Sequence, residues 1–306
     1  MEQMIQGFKE LTQQDKRLFD RYYEEMNGYW PSSLCFTEMV AWKHSLPIFY
    51  KEMNDFMVCA AWSKDRNRLV LLPFLGHYTQ EKVDKTFFEV DKLIADMQLP
   101  LILMDVPEWM MEYYEAIPGV SFEVIYDRGL SDYIYRVEDF ERALQGEKIR
   151  YNYNYFVRRN QPVAVPIQKE HLQICLDMIE SNWCSTHACE ECVYGCLKTA
   201  MKNTTPYLEE LGAKGILVYV EDKPVAYCVV SSKKGMGTFH FKKTQRGFQG
   251  INEFLHRECL ERFLQDAEII NYAEDMNHEG LREYKSRLSE HTLAPRYELR
   301  KRSRED

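Results

Sequence analysis

The sequence predicts an α/β protein with mixed sheets, built from two domains in tandem. Three observations lead to this. The 306 residues are enough for one large α/β domain or for two smaller ones. Extended aromatic or β-branched runs alternate with segments of helical periodicity. The order of these elements recurs in the second half, without a repeat at the level of residues. We therefore predict an N-terminal domain over residues 1–145 and a C-terminal domain over residues 146–306.

The first half begins with a helix, continues as a meander of strands and ends in alternating helices and strands. Apolar residues at helical spacing predict helices over Thr12–Met26 and Gln80–Met97. A further helix is predicted over Trp109–Ala116, since proline at position 107 is tolerated at a helix start. Aromatic and β-branched runs predict strands at Pro47–Tyr50, Phe56–Trp62, Leu69–Leu75, Leu101–Met104, Phe122–Tyr126 and Asp132–Tyr135.

The second half repeats this order. A hairpin is predicted with its turn at Glu221, Asp222 and Lys223, and Gly212 is predicted to cap the preceding helix. The predicted helices cover Glu170–Ser181, Glu190–Leu211, Ile251–Leu264 and Glu279–Leu288. The predicted strands cover Gly215–Val220, Pro224–Ser232, Gly237–Lys243 and Glu268–Ala273.

Composition narrows the classes of function. The formal net charge is −9 and the sequence pI is about 5.5, so the molecule has no overall attraction for nucleic acid or anionic lipid. No run approaches the roughly 18 apolar residues of a membrane span, and the polar N-terminus lacks a signal-peptide core. Nine cysteines in scattered, largely apolar contexts fit buried thiols in a reducing compartment. These features predict a cytoplasmic protein without a transmembrane segment.

A glycine-rich turn between a predicted strand and a predicted helix is a candidate anion site. It contains Gln245, Arg246, Gly247, Gln249 and Gly250. Glycines let the backbone approach a ligand, and the free amides of a helix N-terminus attract phosphates. The alternative interpretation is a tight strand-to-helix turn. On the first interpretation, Gly250→Val should weaken donor binding far more than it lowers stability.

The segment Glu191–Tyr297 carries a family resemblance. Ile270–Asp275 followed by Glu279–Lys285 is similar to the signature N-x-x-x-D-x-G-x-x-G-L-R-x-x-K, and Phe248–Leu255 extends the similarity. The segment resembles the phosphatidylglycerol lysyltransferase C-terminal-like family. This resemblance implies two tandem GNAT-like domains and an acyl- or aminoacyltransferase. It also implies acyl-coenzyme A or aminoacyl-tRNA as co-substrate, with no tightly bound cofactor.

The resemblance leaves the partners open. The acidic charge of the chain disfavours tRNA, because tRNA binding depends on many phosphate contacts. The acceptor could be a small molecule, a lipid or a peptide, and the oligomeric state is not indicated. A non-catalytic ligand-binding module that retains the GNAT fold is the alternative function. It is motivated by Lys242, Tyr272 and Asn277, which depart from the family pattern.

Within the signature, four polar residues are predicted to bind ligand or to stabilise the fold. Arg282 and Lys285 share a helix face and can reach back to Asp275 at a strand end; the fourth residue is Asn271. The cations could bind a phosphate or a carboxylate, or form a structural ion pair with Asp275.

Transfer to an amine needs a base and a proton donor. Glu191, Glu274 and His240 are candidate bases, and the carboxylate of Asp275 is kept as a further catalytic candidate. Tyr272 and Tyr284 are candidate proton donors; aromatic core packing is the alternative for both tyrosines.

Two further patterns suggest binding sites, one for nucleic acid and one for a metal ion. Lys148–Arg159 mixes cations with aromatic rings, which suits a single nucleic-acid strand or, as the favoured interpretation, an amphipathic connecting helix. His187 and the cysteines at 184, 189, 192 and 196 have spacing that suits zinc. Because Cys189, Cys192 and Cys196 fall on one helical stripe, we predict that this cluster binds no metal.

Overall fold

The computed structural model describes residues 7–63, 68–185 and 195–302. In these ranges, helices α1 to α10 span Lys16–Glu24, Phe36–Ala41, Gln80–Asp96, Glu108–Glu115, Val137–Leu144, Glu147–Asn160, Leu172–Ile179, Leu197–Thr204, Ile251–Phe263 and Glu279–Ser286. Strands β1 to β15 span Lys9–Glu10, Ile48–Met53, Phe56–Ser63, Arg68–Leu71, Leu75–Gly76, Ile102–Pro107, Phe122–Tyr126, Asp132–Arg136, Val163–Pro166, Ala213–Val220, Lys223–Lys233, Met236–Thr244, Ile269–Asn271, Thr292–Ala294 and Arg296–Lys301. None of the described helices has the length and apolar character needed to cross a membrane.

The chain forms two compact units. One contains Met1–Ser131 with Ala294–Asp306, and the other contains Asp132–Leu293. The division predicted after residue 145 therefore falls inside the second unit. Strand pairing explains the difference. β8 pairs with β13 of the second unit, whereas β15, near the end of the chain, pairs with β6 and β7 of the first.

The first unit is built on a mixed sheet in the order β1-β2-β3-β4-β6-β15-β7, with β5 paired to β3. The predicted meander of strands is observed as the antiparallel neighbours β2, β3 and β4. Helix α3 follows because Val83, Phe87 and Val90 line one buried face at helical spacing. The side chain of Thr79 accepts a hydrogen bond from the Lys82 amide and caps this helix.

The second unit has a mixed sheet in the order β14-β8-β13-β12-β11-β10-β9. Strands β10, β11 and β12 form two successive hairpins, and β12 runs parallel to β13. In the first hairpin Val220 pairs with Lys223, so the turn contains only Glu221 and Asp222. Both have positive φ, 50° and 59°, as a two-residue turn with the twist of the strands requires.

The helix predicted over Glu190–Leu211 is shorter in the structure. Its described part is α8, which ends at Thr204, and a single 3-10 turn over Thr205–Tyr207 follows. Pro206 lies in that turn and has no amide hydrogen to continue the α-helical pattern. Gly212 has positive φ, 69°, but it lies beyond this turn rather than at the end of a long helix.

Helix α6 packs against α9 in the core of the second unit. The ring of Phe156 is fully buried and lies 5.4 Å, centroid to centroid, from that of Phe254. Tyr153 stacks on the same Phe254 ring at 6.0 Å. The apolar face of β10 and β11, with Ile216 and Val230 fully buried, belongs to the same core. This packing places α6 beside the turn that precedes α9.

Candidate functional site

Strands β12 and β13 diverge in the second unit. They pair only from Met236–Thr238 to Ile269–Asn271, while β12 continues to Thr244 alongside β11. The register of β11 and β12 shifts at His240, which has no opposite residue and forms a β-bulge. Bulges bend a strand and are common near active sites. We call the space flanked by residues 239–244 and 272–275 the strand opening.

Four side chains form a polar network at the strand opening. The Nζ atom of Lys242 donates to the Oη atom of Tyr284 at 2.5 Å. The Nε2 atom of His256 lies 2.9 Å from the Oη atom of Tyr272 and 3.5 Å from that of Tyr284. Lys242 lies on β12, His256 on α9 and Tyr284 on α10, and Tyr272 directly follows β13. We call these four residues the opening network.

Burial keeps two members of the opening network uncharged. His256 is 1% exposed, and burial together with the charge of Lys242 moves the pKa of His256 well below its usual value. Burial raises the pKa of Tyr272 well above its usual value. Both groups are therefore neutral at neutral pH, and they share a hydrogen bond whose donor depends on the tautomer of His256. Phe239 stacks on the Tyr272 ring at 4.8 Å, so this tyrosine also packs in the core.

Asp275 and Arg282 form the predicted ion pair. The fully buried carboxylate of Asp275 accepts hydrogen bonds from Arg282 at 3.1 and 3.2 Å, from Tyr133 at 2.8 Å and from the Asn277 amide at 2.9 Å. The prediction that Asp275 and Arg282 lie within side-chain reach is confirmed. Because four donors occupy the carboxylate, the geometry favours its structural role, in which it attaches the start of α10 to the chain after β13.

Lys285 does not join this ion pair, contrary to the expectation from its helix spacing. Its buried Nζ donates to the backbone carbonyls of Tyr272 at 2.7 Å and Glu274 at 2.6 Å. Asn271 is also buried; it donates to Asp132 and accepts from the amide of residue 273. Both side chains thus hold the turn after β13, where Ala273 has a positive φ of 56°.

Burial lowers the pKa of Lys285 from 10.5 to about 8, which predicts a pH effect on stability. Below pH 8 the Lys285 amine is charged in both the folded and the unfolded chain. The folded chain then bears the full free-energy cost of burying a charged group. Above pH 8 the folded chain loses this proton before the unfolded chain does, so stability rises with pH. Relative to Lys285→Met, wild-type protein should gain about 2–3 kcal/mol of unfolding free energy from pH 7 to pH 10.

Urea unfolding at both pH values measures this difference. Lys202→Met is the control, because Lys202 is exposed on α8. Its unfolding free energy should follow that of wild-type protein across the range. Equal pH dependence of wild-type protein and Lys285→Met would show that Lys285 keeps an ordinary pKa.

The turn at Gln245–Gly250, which we call the donor loop, has an open part and a packed part. Arg246 is exposed, and Gly247 has a φ of +91° with no atom within 4 Å of the place where a Cβ would lie. Gln249 instead donates to the side chain of Asn152 on α6 at 2.8 Å. Gln245 connects the loop to β11 through its amide, which donates to the carbonyl of residue 225.

Gly250 does not face open space, which corrects the expectation for this residue. A Cβ at Gly250 would lie 2.0 Å from the backbone oxygen of Asn152 and 2.9 Å from the Cβ of Phe156. Its φ is +90°, in the region that favours glycine. The close approach of α6 requires a glycine here, so Gly250→Val should affect folding first.

Two candidate bases, His240 and Glu191, and the Cys/His cluster remain to be located. The Nε2 atom of His240 lies 2.8 Å from the Ser231 hydroxyl, outside the opening network. Glu191, His187, Cys189 and Cys192 lie outside the described residues. Cys196 precedes α8, so the structure does not place it on the predicted helical stripe. Within the described ranges no three His, Cys, Asp or Glu side chains form a metal-binding group.

Sequence reasoning does not single out His256 or Lys242 as site residues. His256 interrupts the buried stripe of α9 that includes Leu260 one turn later. A polar residue inside an apolar stripe is a signal of a buried hydrogen bond. In the sequence, Lys242 stands out only as a departure from the family pattern. The spatial signal for both, their shared contact with Tyr284, appears only after folding.

Comparisons with known proteins agree with this fold. A family model described as phosphatidylglycerol lysyltransferase, C-terminal, matches residues 28–299. No curated protein matches the chain. A conserved protein of unknown function from Bacteroides thetaiotaomicron VPI-5482 is 21% identical, with a TM-score of 0.85 over 96% of this chain and 99% of its own.

Two further solved structures share the architecture. L-PGS from Bacillus licheniformis is 15% identical, with a TM-score of 0.63 over 94% of this chain and 93% of its own. A tandem GNAT protein from the clavulanic acid biosynthesis pathway is 11% identical, with a TM-score of 0.53 over 96% of this chain and 97% of its own. At these identities the solved structures show the fold, which is a tandem GNAT-like fold. Because the family model matches most of the chain, residues 28–299, the chain belongs to the phosphatidylglycerol lysyltransferase C-terminal domain family.

Proposed function

We propose that this protein transfers an acyl or aminoacyl group from a phosphate-containing donor, acyl-coenzyme A or aminoacyl-tRNA, to an acceptor nucleophile. The observation that supports it best is the divergence of two parallel strands beside a half-buried tyrosine and lysine. Family membership supports the same reaction class. The reacting carbonyl would lie in the strand opening, and the donor phosphates would lie at the open part of the donor loop, near Arg246 and Gly247.

The opening network supplies a proton for the leaving group. Attack of the acceptor on the carbonyl carbon forms the new bond and breaks the bond to the donor's sulfur or ribose oxygen. That leaving atom needs a proton, which the Tyr284 hydroxyl can donate. Lys242, at 2.5 Å, can then restore the proton on Tyr284. Candidates for the base that accepts the acceptor's proton are His240, 2.8 Å from Ser231, and Glu191.

Donor binding should depend on the open space at Gly247. At a hundred times its dissociation constant, a donor that binds only the folded chain raises the free energy of unfolding by about 2.7 kcal/mol. We expect thermal unfolding to show this stabilisation with acetyl-coenzyme A or with aminoacyl-tRNA. Gly247→Val should weaken donor binding roughly tenfold or more, because its side chain would occupy the space used by the phosphates.

Gly235→Val is the matched control. Gly235 also has positive φ, +74°, and the three atoms nearest the position that a Cβ would take there belong to the flexible side chain of Glu268, at 3.6 Å or more. Gly235 lies in the β11–β12 turn, away from the donor loop. Gly235→Val and Gly247→Val should therefore cause similar backbone strain, but only Gly247→Val places a side chain at the proposed phosphate site. Equal loss of donor affinity in both variants, or no stabilisation of wild-type protein by either donor, would contradict the proposed site.

A further inference from the structure

Strand β7 forms one edge of the sheet in the first unit. It pairs with β15 on one side, and within the described ranges no strand pairs with it on the other. Two of its apolar side chains are exposed, Val124 by 45% and Tyr126 by 49%. An exposed strand edge with apolar side chains is a template for a further strand.

The other described sheet edges are protected against such pairing. Strand β1, at the opposite edge of the same sheet, has only two residues, and both are charged. In the second unit, β14 has three residues and β9 ends at Pro166, which has no amide hydrogen. Strand β7 has five residues, no proline and no bulge against β15. Its one charged residue, Glu123, lies 3.9 Å from Arg300 of β15.

The hydrogen-bond pattern shows which backbone groups of β7 are available. The amide of Arg302 donates to the carbonyl of Ser121 at 2.9 Å, in the same register as the β7–β15 pair. In an antiparallel pair, alternate residues direct both backbone groups towards the partner strand. Two residues of β7 therefore face β15. The other three direct their amide and carbonyl outward, and these are Phe122, Val124 and Tyr126.

The same three residues share one face of the sheet. The ring of Phe122 lies 5.7 Å from that of Phe87 on α3, and strand alternation places the other two side chains on this face. The ring of Phe88, which is 45% exposed, lies 5.9 Å from that of Phe87. The apolar surface of β7 thus continues onto α3.

We propose that β7 pairs with β7 of a second copy of this chain, antiparallel and about a twofold axis at Val124. In this register Val124 faces itself and Phe122 faces Tyr126, so all three outward residues find partners for both backbone groups. Glu123 faces Ile125 of the second copy, so no like charges are directly opposed. A twofold contact requires an edge that is complementary to itself, and β7 meets this requirement.

The size of the contact predicts a weak dimer. Two strands of five residues bury far less than the roughly 800 Å² per partner that is typical of stable complexes. We therefore expect a dissociation constant of about 10–500 μM. Such a dimer forms only at high protein concentration, and it can be measured without donor or acceptor.

Sedimentation equilibrium of the full chain, from about 5 μM to about 1 mM, tests the proposal. The apparent mass should rise from 36.5 kDa towards twice that value. Val124→Lys should weaken the dimer by about tenfold or more, because two ammonium groups would face each other across the axis. Tyr126→Lys is the second variant and should weaken it as well. Thermal unfolding should confirm that every variant folds.

Val163→Lys is the matched control, because Val163 is 59% exposed and lies on the edge strand β9. It should associate as wild-type protein does. The proposal is overturned if wild-type protein stays monomeric over the whole range, or if Val124→Lys and Tyr126→Lys associate as wild-type protein does. Equal loss of association in Val163→Lys and Val124→Lys would also overturn it, since the effect would not be specific to β7.

Discussion

Gly250→Val should lower the free energy of unfolding by about 3–5 kcal/mol. Two costs add at this position. A β-branched residue at a φ of +90° is strained, and its Cβ would overlap the Asn152 backbone oxygen, which is 2.0 Å away. The oxygen belongs to α6, so relief requires this helix to move away from α9. Urea or thermal unfolding measures the loss.

Gly247→Val separates strain from overlap. Gly247 has nearly the same φ, +91°, but nothing lies within 4 Å of the point that its Cβ would occupy. This variant should lose only about 1–2 kcal/mol, the cost of backbone strain. If Gly247→Val destabilises the protein as much as Gly250→Val does, the close approach of α6 to the donor loop is not what requires Gly250.

Tyr284→Phe should reduce donor turnover by about 10²- to 10⁴-fold, the usual contribution of a positioned proton donor. The substitution keeps the ring over which the Lys242 ammonium lies at 4.5 Å, and removes only the hydroxyl. Folding and donor affinity should change little. The measurement is the release of free coenzyme A from acetyl-coenzyme A, or of free tRNA from aminoacyl-tRNA.

Tyr272→Phe is the control for this variant. Its hydroxyl belongs to the same network but is buried against His256. We expect it to cost about 1 kcal/mol of stability and to lower turnover only a few-fold. If Tyr284→Phe retains wild-type turnover, or if Tyr272→Phe loses as much, Tyr284 is not the proton donor.

The elements of the second sheet can be predicted because their signals are local. Runs of apolar, β-branched and aromatic residues identify β10, β11 and β12, and helical spacing identifies α9. The domain boundary cannot be predicted from such signals. The partners of β8 and β15 are distant in sequence, and the short polar or mixed runs in these strands do not indicate which sheet they join.

The candidate site is predictable in part for the same reason. Asp275 and Arg282 are seven residues apart, and the short turn between β13 and α10 brings them together. The role of Gly250 depends on Asn152, about a hundred residues earlier in the chain. The local glycine motif therefore predicts a bound phosphate next to Gly250, whereas in the structure helix α6 occupies that position. The prediction that Lys285 joins the ion pair is wrong because spacing shows which face a side chain occupies but not how deeply it is buried.

Hydrogen exchange measured by mass spectrometry, with and without donor, tests the position of the donor site most directly. The probes are acetyl-coenzyme A and, separately, a short RNA ending in a non-hydrolysable aminoacyl-adenosine. With at least one probe, amide exchange should slow in peptides covering the donor loop and residues 272–275 of the strand opening. Protection confined to other segments, or none at saturating concentrations of both probes, would contradict a donor site between β12 and β13.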